Sequence, residues 1–195
     1  MRGRWPFCYY PADKLITVCS CSYLLSSITL AGTPMAYSAY AIANAFVQLA
    51  QEGRIPQLTP MKLQKLMYFT QAWYLRERGF SLLDDHFSRW QYGPVIPAIY
   101  HEFKAYEAGV ITQPAQTLSA DSDGWSAHVP AVPKSDRDTW ALLRVIAQRY
   151  GGFSGPQLSA ITHKAGGAWA RVSPPDGSVI THEQMKSDAA VFGGK

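Results

Sequence analysis

The sequence predicts a mainly α protein, a single compact helical domain with a small β-hairpin or extended crossover between its longest helix and a Gly-Pro corner. Three observations lead there. Apolar residues recur at helical spacing in several segments, among them Ile42, Ala45, Phe46 and Leu49. Those segments open on capping residues and close on glycine. Strand-like alternation is weak and local, near residues 82–92.

The first helix is predicted from Ser38, in S-A-Y-A-I-A-N-A-F-V-Q-L-A-Q-E-G, with Gly53 able to close it in the left-handed conformation. The second follows Thr59-Pro60, a cap residue and a proline at the first helical position. It runs to Gly79, with Leu63, Leu66, Met67, Thr70, Trp73 and Tyr74 on one broad aromatic stripe. Leu82-Leu83, a turn at Asp84-Asp85, and Phe87 to Tyr92 allow two short strands. Gly93-Pro94 then breaks the chain, and Pro97 suits the first position of a third helix bearing Ile99, Tyr100 and Phe103. Residues 112–134 read as a long surface loop or loose hairpin. Three capping boxes are expected to open the last helices: Ser135 with Asp138, Ser154 with Gln157, and Thr181 with Gln184.

Composition narrows the function. The chain has 195 residues, 47% hydrophobic and 16% charged, with a net charge of +4. Three basic residues and one acid in residues 1–34 supply +2 of this, leaving +2 spread over the rest. That is too dispersed to favour nucleic acid as the primary partner. All three cysteines, Cys8, Cys19 and Cys21, lie in that first segment, so residues 35–195 suit a reducing cytoplasm. Residues 15–30 are uncharged but carry six Ser and Thr, and they are short of the roughly 20 apolar residues of a membrane span. Residues 1–34 are expected to lie outside the fold, as sequence upstream of a start at Met35 or as a targeting-like segment. Residues 35–195 are expected to be the domain, with no membrane partner.

The search for chemistry finds little. There is no phosphate loop, dinucleotide fingerprint or zincin motif, so neither metal nor cofactor is expected. Asp84-Asp85 reads as a turn apex in water, and Ser154 as a helix cap. His163, close in sequence to Trp169, reads as a histidine packed at a core edge, because no nucleophile or orienting acid accompanies it. Lys62, Lys65, Arg76 and Arg78 read as a solvated helix face or, more sharply, as a basic rim around an aromatic contact surface.

Three motifs carry a resemblance. L-T-P-M-K-L-Q-K-L-M-Y-F-T-Q-A-W-Y-L, Leu58 to Leu75, resembles the K-L-Q-K-L-x-Y-x-x-Q-x-W signature of the Panacea domain family, which includes SocA-like antitoxins and phage-associated, GepA-like proteins. L-L-D-D-H-F-S-R-W-Q-Y-G-P-V, Leu82 to Val95, is similar to its L-F-D-D-x-F-x-A-W-x-x-G-P-V. L-S-A-I-T-H, from Leu158, followed by Trp169, is similar to its L-S-x-x-T-H and Pro-Trp. Arg89 departs from a usually small residue, and Ala168 from a usual proline; the first is expected to alter surface contacts and the second to loosen a bend.

The resemblance implies an antitoxin that neutralises a cognate toxin by direct protein–protein binding and is not an enzyme. The alternatives are an adaptor delivering a toxin to an ATP-dependent protease or, less favoured, a hydrolase using His163. The residues implicated in the motifs or in partner binding are Lys62, Gln64, Lys65, Tyr68, Trp73, Trp90, Tyr92, Gly93, Pro94, Val95, Tyr100, His163 and Trp169. Trp90, Tyr92 and Tyr100 are expected to pack on Tyr68 and Trp73 as a rigid corner.

Overall fold

Cap chemistry sets the helix boundaries. In the computed structural model, which describes residues 36–121, 124–172 and 175–193, the Ser38 side chain accepts from the Ala41 N–H and starts α1, Ala39–Gln51. Thr59 does the same for Lys62 at the head of α2, Pro60–Arg78. Gly79 ends α2 at φ 82°, a left-handed conformation that suits glycine. The expectation for residues 1–34 lies outside the described residues.

The short strands β1, Phe87–Trp90, and β2, Gly93–Val95, form a hairpin. The Gly-Pro pair therefore opens the second strand instead of ending the hairpin. Leu83, expected in a strand, makes a single parallel bridge to Tyr37. Pro97 starts α3, Pro97–Phe103. A second hairpin, β3 Thr117–Asp121 with β4 Gly124–His128, occupies the predicted surface loop. Its ends are held to α1 by Asn44, whose amide donates to the Ala115 and Pro130 carbonyls at 3.0 and 2.8 Å.

Next come α4, Arg137–Tyr150, and α5, Gly155–Thr162. The capping boxes at Ser154 and Thr181 are present. That at Ser135 is not: Asp136 caps α4 through the Thr139 N–H, a carboxylate one residue later being an equally good acceptor. The tail forms β5, Val179–Ile180, then α6, His182–Lys186, and α7, Ala189–Phe192. One terminal helix was expected; Asp188 splits it by capping the Ala190 N–H. β5 pairs antiparallel with β1 on the side away from β2, giving the sheet order β2-β1-β5.

Most of the helices gather on α2. Its residues from Lys62 to Ala72 are buried without a break, so the helix is enclosed on every side over three turns. Helix α2 packs against α1, α3, α4, α5 and α6, and against β2. The core includes Phe46, Leu66, Met67, Phe69, Leu143, Ile146 and Leu158. Phe69 stacks on Tyr150 of α4 at 4.4 Å between ring centroids.

Candidate functional site

A helix enclosed on all sides should be apolar all round, yet α2 buries Lys62, Gln64, Lys65, Tyr68 and Gln71. Each has a definite partner, and in four of the five cases it is backbone of an irregular segment or of a short strand. Lys62 Nζ donates to the Pro56 carbonyl. The Gln64 amide both donates to and accepts from the backbone of Ile96, at 3.1 and 2.9 Å. Lys65 Nζ donates to the Pro94 carbonyl at 3.0 Å. Gln71 accepts from the N–H groups of Leu82 and Leu83. The polar letters of K-L-Q-K-L-x-Y-x-x-Q thus supply hydrogen bonds that bends and short strands cannot supply for themselves.

Lys62 and Lys65 therefore correct both readings of them. They are neither a solvated face nor an exposed rim, because α5 and the β1–β2 hairpin cover that side of α2. Arg76 and Arg78 are exposed, as expected.

Tyr68 donates to Asp188 in a short hydrogen bond, joining α2 to the cap of α7. Burial, with the Asp188 carboxylate beside it, pushes the Tyr68 phenol well above its usual range. On its other side Phe87 meets its ring edge-on at 5.2 Å.

The corner rings arrange differently from expectation. Trp90 and Tyr100 pair with each other, T-shaped, at 4.9 Å. They line a cleft of about 370 Å³ together with Met61, Lys65, Tyr92 and Val95, while Trp73 lies elsewhere, edge-on to Phe192 at 5.0 Å. Helix geometry gives the reason: Trp73 is five residues beyond Tyr68, about 140° further round the axis. The corner therefore rests on the first half of α2, and β1 reaches Tyr68 through Phe87.

Tyr92 is 61% and Tyr100 41% exposed, so both offer ring surface to solvent. The backbone beneath them is fixed. Ser159 Oγ donates to the Tyr92 carbonyl at 2.8 Å, and Trp169 Nε1 donates to that of Trp90 at 3.0 Å. Gly93 has φ 103° and lies against Lys65 and Thr162.

His163 ends α5 and stacks on Trp169 at 3.8 Å with 18° between the planes. Its Nε2 has no hydrogen-bond partner. Desolvation, and then the Lys65 charge, push its pKa down. The charge that acts on it is thus a cation, not the orienting carboxylate a general base requires. Asp84 is used elsewhere, accepting from the Ala39 N–H at the start of α1. Among the described residues no cluster of His, Cys, Asp or Glu could hold a metal ion, and no helix is long and apolar enough to cross a membrane.

Arg89 also corrects its expectation. It is 2% exposed, not a surface residue. Its guanidinium donates to Ser178 Oγ, the Val179 carbonyl, the Ala168 carbonyl and Gln184 Oε1, at 2.7–3.1 Å. The two departures noted in the motifs therefore touch each other, Arg89 bonding to Ala168.

The family model described as "Antitoxin SocA-like, Panacea domain" matches residues 63–170, a span running from α2 through the corner to Trp169. The chain belongs to the SocA-like Panacea domain family. The chain is similar to Antitoxin SocA of Caulobacter vibrioides (strain NA1000 / CB15N), at 31% identity over 136 residues, 70% of each chain. No solved structure matches it. For this Panacea domain, then, the shared motifs place the aromatic corner, the helix that clamps it and the Trp169 side chain that holds it in one region.

Lys65 stands out in that region because its burial is costly. The side chain is 1% exposed, and desolvation pushes its pKa from 10.5 down to about 7. Below about pH 7 both folded and unfolded chains carry the charge, and the folded state bears the full cost of burying it. Between about pH 7 and 10.5 the unfolded lysine holds a proton that the folded one has released, so this residue makes stability rise with pH across that window. Lys65→Met is expected to stabilise the domain by a few kcal/mol at neutral pH, with the gain shrinking towards pH 10. Denaturant unfolding at several pH values measures it.

Proposed function

We propose that this protein is an antitoxin that neutralises a cognate toxin by direct protein–protein binding, with the outer side of the Trp90–Tyr100 corner as contact surface. The carrying observation is the similarity to Antitoxin SocA across the clamped aromatic corner. Three features support a binding role for the corner. Its rings are large and partly exposed, its backbone is held by side chains from α2 and α5 and by Trp169, and aromatic anchors of this kind dominate interface energetics. A surface ordered before the encounter loses little entropy on binding. Against the hydrolase reading, His163 is stacked on Trp169 and has no acid as orienting partner.

Co-expression with the adjacent open reading frame tests this, scored by growth. The expected result is a neighbour that is toxic alone and silenced by this chain. Trp90→Ala and Tyr92→Ala are expected to weaken binding of that toxin about 30-fold, the size of one hot-spot side chain, without changing the fold. A harmless neighbour would remove the antitoxin reading. Full neutralisation by a folded Trp90→Ala, Tyr92→Ala double variant would move the contact surface away from the corner.

A further inference from the structure

The corner cleft has an uncommon floor. Lys65 has three N–H donors at its ammonium, and the Pro94 carbonyl is its one protein partner among the described residues. No described carboxylate lies within ion-pair distance of it, the ion pairs all being at the surface or involving other residues. A second buried lysine, Lys62, is likewise held only by a carbonyl. It lines an adjoining cleft of about 390 Å³ that shares Met61 and Glu107 with the first. The two clefts thus form a groove along the start of α2 with two buried cations and one acid, the exposed Glu107 at its rim. Its walls over Lys65 are Trp90, Tyr92, Val95 and Tyr100.

We propose that this groove receives an extended segment of the partner protein that places an Asp or Glu carboxylate on Lys65 and apolar side chains against Trp90 and Tyr100. The inference rests on the reading of the chain as a toxin-binding protein, and specifies the chemistry of what it binds. Charge complementarity commits it to an acidic occupant: a carboxylate satisfies an ammonium whose burial otherwise costs stability. The apolar walls strengthen that pair by excluding water, and they require apolar neighbours beside the acid.

Binding of this kind is coupled to protons. A carboxylate on Lys65 favours its charged form, so the complex holds a proton that the free protein releases above about pH 7. Lys62, whose pKa burial also lowers, shares the direction of this profile, so the comparison with Lys65→Met is what assigns it to Lys65. His163 on α5 has its pKa lowered and takes up a proton only at more acid pH. Tyr68 on α2 is protonated throughout. Lys62 on α2, Glu107 after α3, Tyr92 in the β1–β2 turn and Tyr100 on α3 complete the set.

The test uses displayed random peptides, panned at about pH 6.5 against the full chain and against Lys65→Met. Peptides enriched on the wild type are expected to carry one Asp or Glu flanked by aromatic or aliphatic residues, and to lose at least tenfold in affinity when that acid becomes Asn or Gln or when Lys65 is Met. Unfolding curves establish that Lys65→Met is folded. The wild-type chain gives an independent readout: affinity for an enriched peptide should be flat below about pH 6.5 and then fall by up to tenfold for each pH unit. Enrichment without an acid, indifference to Lys65→Met, absence of enrichment, or a flat pH profile would each overturn the proposal. So would self-association of the chain that Lys65→Met abolishes, since a second copy would then be the occupant. The panning needs no toxin, so its failure leaves the growth experiment standing, and failure of toxin rescue leaves the peptide result standing.

Discussion

Arg89→Ala should cost this domain about 3–5 kcal/mol and loosen its C-terminal segment first. Among the described residues, the guanidinium is the only side chain that bonds β5, α6 and the carbonyl of Ala168 at once. Removing it leaves the buried Ala168 carbonyl without its donor and opens a cavity beside β1. β5 is two residues long and among the described residues pairs only with β1, so it has little else to keep it in register. Hydrogen exchange in residues 178–186 should accelerate well before that in α2. Arg89→Met separates the causes, since it keeps most of the stem volume and loses every hydrogen bond. A loss for methionine close to that for alanine would assign the cost to the bonds, and a small loss to packing. A loss under about 1 kcal/mol for alanine would show that the acceptors find other donors on relaxation.

The helices were legible because their signals are local. Ser38, Thr59, Ser154 and Thr181 act as caps within three residues of themselves, Gly53 takes the positive φ that its position suggested, and Gly79 ends α2 where expected. The Gly-Pro corner was legible as a bend, and the pairing of His163 with Trp169 as a contact. The clamps were not. A lysine one turn from another lysine reads as solvated unless the segments covering it are known, and those covering α2 come from α5, β2 and α6, distant in sequence. Asn44 and Arg89 were missed for the same reason: their partners lie 71–86 and 79–95 residues away. One local clue was available. The buried polar residues of α2 are spaced at 62, 65 and 68 and at 64, 68 and 71, interleaved with the apolar stripe, so no face of that helix is wholly polar. A helix lacking a polar face is an enclosed helix, and its polar residues then need partners inside the fold.

Gly93→Ala should have an effect of similar size, about 3–5 kcal/mol, from two separable causes. The first is backbone strain, since φ 103° is a conformation that residues with a Cβ rarely adopt, at a cost of about 1–3 kcal/mol. The second is space. A Cβ at Gly93 would stand 2.7 Å from Lys65 Cε and 2.8 Å from Thr162 Oγ1. Thr162 is fixed by its bond to the Ser159 carbonyl, and Ser159 in turn holds the Tyr92 carbonyl, so that side cannot retreat without releasing the corner. Lys65 could retreat only by giving up Pro94, which would leave a buried ammonium with no partner. Overpacking of this kind costs about 1–3 kcal/mol. Lys65→Ala removes Cε, so the double variant should recover part of the loss, and the two substitutions should be coupled by about 1 kcal/mol or more. Strict additivity would mean that glycine is required at position 93 for its dihedral angle alone, and that the contact with Lys65 gives way without cost. Coupling would mean that the lysine beneath the corner and the glycine within it are fitted to one another, the glycine leaving the room that lets a charged side chain reach the cleft floor.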